Sequence, residues 1–150
     1  MIVGESPATR CVMGRIERGD EILHALRELA RMERIDAGFV RAHGAVEQAE
    51  LSGYDAAARS YVPTGLVAER AELVSLGGNV SLAAGAPDVR VWAVLAPAPG
   101  SVGGALAAGL VVRAISVYVE FAIDVYDDGD LDRILDPATG LRLWRPPRRR

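Results

Sequence analysis

Ile115-Ser-Val-Tyr-Val-Glu-Phe-Ala-Ile-Asp-Val125 alternates without a break. Ile115, Val117, Val119, Phe121, Ile123 and Val125 fall on one side, and Ser116, Tyr118, Glu120, Ala122 and Asp124 on the other. Successive side chains of a strand point to opposite faces, so this period predicts a strand with one apolar and one mixed face. An apolar sheet face needs a cover, and residues 20–34 supply one. Ile22, Leu23, Leu26, Leu29 and Ala30 recur at helical spacing, with Arg27, Glu28, Arg31 and Arg34 opposite them. Asp20 and Glu21 at its start and Arg31 and Arg34 near its end suit the helix dipole. Shorter strand candidates, set apart by Gly, Asp or Pro, are 10–16, 38–42, 48–54, 69–76, 79–83 and 89–95. Many strands and one helix predict an α+β domain: a largely antiparallel β-sheet with one main amphipathic helix packed on it.

Half of the 150 residues are apolar and a quarter charged, the balance of one globular domain. All 17 basic residues are Arg, which excludes Schiff-base chemistry and a phosphate-loop lysine. A lone Cys11 excludes an internal disulfide framework and a Cys-based zinc site, and it fits a reducing compartment. Charge is unevenly spread. Residues 142–150 hold five Arg and no acid, leaving 12 Arg against 20 acids in the body. An acidic body disfavours nonspecific nucleic-acid binding by the domain itself, whereas the tail suits phosphate or an acidic partner. Residues 1–7 lack the basic-then-apolar order of an export signal, and the uncharged run 91–112 is broken by Pro97, Pro99, Gly100, Gly103, Gly104 and Gly109. The expectation is a cytoplasmic protein without a membrane span.

Few residues invite chemistry. Asp124, Asp127, Asp128, Asp130 and Asp132 surround Gly129, but with Gly129 at position six of a calcium loop, position three is Tyr126 and position twelve Leu135. The bidentate acid is missing, which leaves a solvated acidic turn. His43, before Gly44, has no carboxylate or Cys at helical or hairpin spacing, and His24 sits among polar helix neighbours; structural roles are expected for both. The pairs Gly77-Gly78 and Gly103-Gly104 suit tight turns or close backbone packing rather than a phosphate loop. On strict alternation, Arg70, Glu72, Val74 and Leu76 share one face of their strand and Ala71, Leu73 and Ser75 the other. Glu72 is then a salt-bridge partner or a subunit or pocket contact.

Taken in order, these segments resemble the plants and prokaryotes conserved (PPC) domain family. Its helix start is matched by Gly19-Asp20-Glu21-Ile22-Leu23 and its Gly-small turn by His43-Gly44-Ala45. Its Glu-Leu-x-Ser-Leu-x-Gly block is matched by 72–79 and its Gly-Gly turn by Gly103-Gly104, with Ala105 and Gly109 following. The closing Asp-Pro-x-Thr-Gly-Leu phrase is matched by 136–141. The resemblance divides the chain into an N-terminal extension (1–9), a PPC-like domain (10–144) and an Arg/Pro-rich tail (145–150). It implies a homotrimer, with Gly103, Gly104, Ala105 and Gly109 as the turn motif of the assembly. The apolar residues of 91–95, Leu106 and 110–112 offer more surface than one helix covers, which agrees with association.

Many prokaryotic members carry His-x-His in the strand before that turn and a His after the Gly pair, a constellation fit for metal. Here the strand reads Arg90-Val91-Trp92-Ala93-Val94-Leu95, and Ala105 follows Gly104. No metal site, cofactor or catalytic residue is therefore expected, and the histidine-held metal chemistry of the fold relative acetolactate decarboxylase does not carry over. Arg70-Ala71-Glu72-Leu73-Val74 resembles a partner-recruiting phrase of plant members, with Ala71 in place of Phe; Arg70, Glu72, Leu73 and Val74 are the partner-motif candidates. Plant members join the domain to Arg-Gly-Arg-Pro hooks that enter the minor groove of DNA. This tail has Arg and Pro without that glycine, so Arg142, Arg145, Arg148, Arg149 and Arg150 are candidate phosphate contacts indifferent to sequence. Two functions follow from the resemblance. One is a non-enzymatic, DNA-associated or regulatory assembly module with self, DNA and other proteins as partners. The other is a small-molecule or anion-binding protein, or a degenerate relative of a metal-dependent enzyme.

Overall fold

The computed structural model describes residues 7–99, 105–126 and 131–145, and of residues 65–68 the backbone only. Among them, seven strands and one short helix follow in the order β1 (Arg10–Ile16), α1 (Ile22–Met32), β2 (Gly38–Asp55), β3 (Ser60–Ala83), β4 (Ala86–Ala96), β5 (Ala107–Val125), β6 (Arg133–Leu135) and β7 (Arg142–Trp144). The main sheet runs β1-β5-β2-β3-β4, antiparallel throughout, and β4 returns to pair with the start of β5. β5 thus carries β2 along one edge and shares its other edge between β4 (at 107–110) and β1 (at 119–125). The apolar run 91–112 lies in β4 up to Ala96 and in β5 from Ala107. Among the described residues, no helix is long and apolar enough to cross a membrane.

The alternation is realised over 118–125, where Val119, Ile123 and Val125 are buried while Tyr118 and Glu120 face out. The β2–β5 register slips at Val117, so Ser116, expected on the outer mixed face, is fully buried and its hydroxyl donates to Ile16 C=O at 3.2 Å. α1 lays Ile22, Leu23, Leu26 and Ala30 into the same core as Leu95, Val91 and Val111, packing on β4 and β5. Glu21 rather than Asp20 caps it, its carboxylate accepting the N–H groups of Leu23 (3.1 Å) and His24 (2.7 Å). The same carboxylate accepts Ala114 N–H (3.2 Å), tying the cap to β5. The helix stops at Met32, two residues short of the expected end. Arg34 turns to φ 53°, and Ile35 N–H donates back to Ala30 C=O at 2.8 Å, the usual way of closing a last turn.

The segments 38–42 and 48–54 prove to be one bent strand, as do 69–76 and 79–83. What reads as a break is a register shift. Around Ala42/Gly44 the β2–β3 pairing slips, with Gly44 at φ +151° and so close to β5 that a Cβ would stand 2.1 Å from Tyr118 C=O. Gly77 and Gly78 are mid-strand, not a turn; a Cβ on Gly78 would stand 2.0 Å from Arg90 C=O on β4. A second slip, between Leu73 and Ser75 on the β4 side, overturns the strict alternation of that stretch. Glu72, Val74 and Ser75 are exposed, whereas Leu73 and Leu76 are both core.

The β6–β7 hairpin was not expected, because three-residue strands leave no period to detect. Its turn is built by Asp136, which accepts Thr139 Oγ1–H (2.7 Å) and Ala138 N–H (3.2 Å) and is held below the usual carboxylate range by them. Tyr54 O–H donates to Thr139 C=O (2.9 Å), so the turn also rests on β2.

Gly78→Ala should lower stability by about 3 kcal/mol, the upper end for forced overpacking, because the obstructing atom is backbone. Gly53→Ala, which would meet only Thr64 Cγ2 at 3.7 Å, should be near neutral. Urea unfolding of the two variants checks the contrast.

Candidate functional site

The outer face of the sheet carries one continuous cross-strand row: Met13 opposes Ala122, Ala122 opposes Arg41, Arg41 opposes Gly77, Gly77 opposes Trp92, and Trp92 opposes Leu110. At the Trp92 end of the row lies an open groove of about 500 Å³, lined by Ser75, Gly77, Trp92, Ala93, Val94, Ala108 and Gly109. Glycine opposite Trp92 leaves one side of the indole uncovered, and Trp92 stays 40% exposed. Val74 (50% exposed), pushed outward at the bulge, and Leu106 and Val112 on the approach to and within β5 are exposed as well. A wall of this kind suits apolar contact. Its side chains offer a metal ion only the Ser75 hydroxyl and an indole N–H, so the donor set does not fit one. Among the described residues, no three His, Cys, Asp or Glu side chains gather.

The structure scatters the other candidates. His43 stands opposite Glu120 on β5, Nε2 to Oε2 3.4 Å, an exposed pair that linear spacing does not reveal. His24 is on the exposed side of α1. Of the partner-motif candidates, Arg70 (φ 48°), Glu72 and Val74 are exposed, but Leu73 is 1% exposed and belongs to the core, so it is not available to a partner. Glu72 makes no ion pair among the described residues. In the turn motif, Gly103 and Gly104 lie outside the described residues. Ala105 is exposed, and Gly109 sits in β5 opposite Ala93, where a Cβ would come within 2.7 Å of Ser52 C=O. Of the acidic turn, Asp124 pairs with Arg41, which holds its carboxyl below the usual range, and Asp132 pairs with Arg145 at 2.8 Å. Asp127, Asp128, Gly129 and Asp130 lie outside the described residues.

Arg142 and Trp144 belong to β7, and Arg145 is fastened to Asp132 by its backbone N–H (2.7 Å) as well as by its side chain. Arg148, Arg149 and Arg150 lie outside the described residues. The hairpin is seated by two groups of contacts. Trp144 meets Phe39 edge-on at 5.9 Å, and Phe39 meets Tyr126 likewise. Arg133, 6% exposed, donates from Nε to Ser81 Oγ (2.6 Å) and from Nη2 to Asn79 Oδ1. Asp88 lies between Arg133 Nε (3.2 Å) and Arg90 Nε (2.9 Å). Burial first, and Arg90 second, pull the Arg133 guanidinium down to about 10. Sequence reading passed over Arg133, whose only signal is a lone Arg between Leu131 and Ile134.

A closed antiparallel sheet with a helix over one face and an apolar outer groove defines the class, and comparison gives the family. The Plants and Prokaryotes Conserved (PCC) domain model matches residues 3–122, and the chain belongs to that family. A solved metal-containing protein from Archaeoglobus fulgidus is 27% identical, covering 97% of this chain and 99% of its own, with a TM-score of 0.87. A plant- and prokaryote-conserved (PPC) protein from Pyrococcus horikoshii is 23% identical, covering 99% of each chain, TM-score 0.82. A candidate DNA-binding protein from Ralstonia eutropha is 21% identical, covering 90% of each, TM-score 0.77. No curated protein matches the chain in sequence.

Asp88→Asn should cost about 2–3 kcal/mol, because it leaves two guanidinium groups without their shared carboxylate; Asp88 is a quarter exposed, which keeps the loss below that of a fully buried pair. Asp132→Asn, which breaks a more exposed pair, should cost under about 1 kcal/mol. Chemical unfolding at neutral pH compares them.

Proposed function

We propose that the chain is a non-enzymatic assembly module: a homotrimer of PPC domains, DNA-associated or regulatory, whose Arg-rich end makes a weak, sequence-indifferent contact with phosphate. The observation that carries this reading is the outer face at Trp92. Where metal-bearing members would need imidazoles, this chain has an exposed Trp, Val and small residues continuous with Val74, Leu106 and Val112. Such a face is worth covering and has nothing to catalyse with. A second copy of the chain fits it because symmetric association buries the same apolar patch on every subunit. Val74 adjoins Ser75 of this groove, and the exposed Arg70 and Glu72 precede it on β3, where they would give a further protein partner polar contacts. For the DNA part, the support is the five Arg at 142–150 together with the DNA-binding description of the Ralstonia relative.

Light scattering on a sizing column should give three times the 15.9 kDa chain mass at micromolar concentration, and Trp92→Glu should shift the protein to monomer with its circular dichroism unchanged. A wild-type monomer removes the assembly reading.

The tail is tested by a chain ending at Arg145, which keeps β7 and its contact with Phe39. Titrated with duplex DNA, the full chain should bind weakly and without preference for AT content, each phosphate neutralised adding about −0.9 to the slope of log K against log salt. The shortened chain should lose most of that slope. Equal binding by both, or none by either at low salt, removes the tail contact.

A further inference from the structure

Among the described residues, the charge around Arg133 does not balance. Arg90 and Arg133 share a single carboxylate, Asp88, and the neighbouring Asp132 is taken by Arg145. Both guanidinium groups also point an Nη1–H at the same backbone carbonyl, Arg142 C=O, at 2.8 Å from Arg90 and 3.5 Å from Arg133. Arg133 has its N–H groups engaged. Arg90 does not: with Nε on Asp88 and Nη1 on the carbonyl, its Nη2 has no acceptor among the described residues. Arg142 adds a third guanidinium with no acceptor among them. Arg133 stands directly opposite Trp144 in the hairpin, and Arg142 is two residues from Trp144, so by strand period Arg142 starts from the same hairpin face; its side chain is exposed, and its backbone carbonyl is the atom that meets Arg90 and Arg133.

We infer that Arg90, Arg133 and Arg142 form an oxyanion site for a phosphate group, with Arg90 and Arg142 as the donors that meet it and Arg133 as the fixed positive charge behind them. Three features favour that ligand. A surplus positive charge in a partly dry place attracts an anion more strongly than an exposed Arg does. Arg90 is pre-set by Asp88 and the Arg142 carbonyl, so little side-chain freedom is lost on binding. Guanidinium forks match the oxygen spacing of phosphate bidentately. The phosphate can come from a nucleic-acid backbone or from free inorganic phosphate, and the site does not require residues 146–150. Its rival is internal: Asp127, Asp128 and Asp130, outside the described residues, are the acids close in sequence that would otherwise supply the counter-charge.

The test uses the full chain, with Arg90→Gln and, because Arg142 has no side-chain hydrogen bond to lose among the described residues, Arg142→Gln as a second variant. Sodium phosphate is titrated against sodium chloride at matched ionic strength, read by melting temperature and by the Arg Nε–H resonances. Saturable stabilisation by phosphate with shifts at Arg90 and Arg133 is expected, and each variant should weaken it about tenfold or more, the loss of a charge-assisted hydrogen bond. A short duplex is titrated in parallel into the full chain, the variants and the chain ending at Arg145. If phosphate is silent but Arg90→Gln or Arg142→Gln weakens the duplex contact that the shortened chain retains, the site stands with a backbone phosphate as its ligand. If neither probe responds to either substitution, or if phosphate and chloride act alike and duplex binding ends at Arg145, the proposal is overturned. Because free phosphate is read separately, loss of the tail contact with DNA leaves this result intact.

Discussion

β5 has three partners and two edges. β2 occupies one edge over most of its length, and β4 and β1 divide the other between its two halves. This shared edge closes β5, β2, β3 and β4 on one another while leaving β1 as an outer strand, and nearly every other feature follows from it. Closure bends β2 and β3, so each needs register slips. It also brings β3 against β4 closely enough that Gly78 admits no side chain. Closure leaves an inside, filled by Val91, Leu95, Val111, Val119 and the apolar face of α1, and an outside on which Trp92, Arg41 and Met13 stand in one row.

The strongest periodic signals translated directly. The 115–125 alternation became a strand whose apolar face is inside from Val119 on, with its phase broken at Val117, and 20–34 holds the helix that covers it. What did not translate are the places where period two is interrupted without the strand ending. A bulge shifts phase by one residue, which is why Leu76 is core although Glu72 and Val74 are not. Sequence offers only a Gly or a small polar residue at such points, and Gly44 and Gly77-Gly78 look the same as turn glycines. The C-terminal hairpin was illegible for another reason. Its stability comes from long-range contacts, Arg133 with Asn79 and Ser81 and Trp144 with Phe39, rather than from any local pattern. The groove at Trp92 was half legible: its residues were visible as apolar excess, and their meeting across β3, β4 and β5 was not.

The seating of that hairpin changes what the basic end of the chain is. A free Arg-rich tail is an entropic object whose charges average over many positions. Here the backbone of Arg142 is held by β-pairing with Leu135 and the Arg145 guanidinium by Asp132, so one of the five charges has a fixed partner and a second is rooted at a fixed point on an otherwise acidic body. The cost falls on Arg133, whose guanidinium is desolvated and set beside Arg90. Its lowered pKa says that the folded state tolerates this charge rather than being stabilised by it. A buried charge kept on such terms is explained by what it positions.

Arg90 and Trp92 are two residues apart on β4 and point outward from the same face, about 7 Å apart at strand rise. The apolar groove and the unbalanced guanidinium pair are therefore neighbours on one surface rather than separate features of the molecule. If copies of the chain meet over Trp92, Arg90 falls at the edge of the contact, where interfaces are ordinarily polar and wet. An arginine left partly exposed there, its Nη2 without an acceptor among the described residues, is not sealed by association. A neighbouring patch that excluded water would lower the local screening around it and strengthen its attraction for an anion. Assembly through the groove and anion binding at the hairpin root would then reinforce each other through the two outward positions of one strand, with the buried Val91 between them anchoring both to the core.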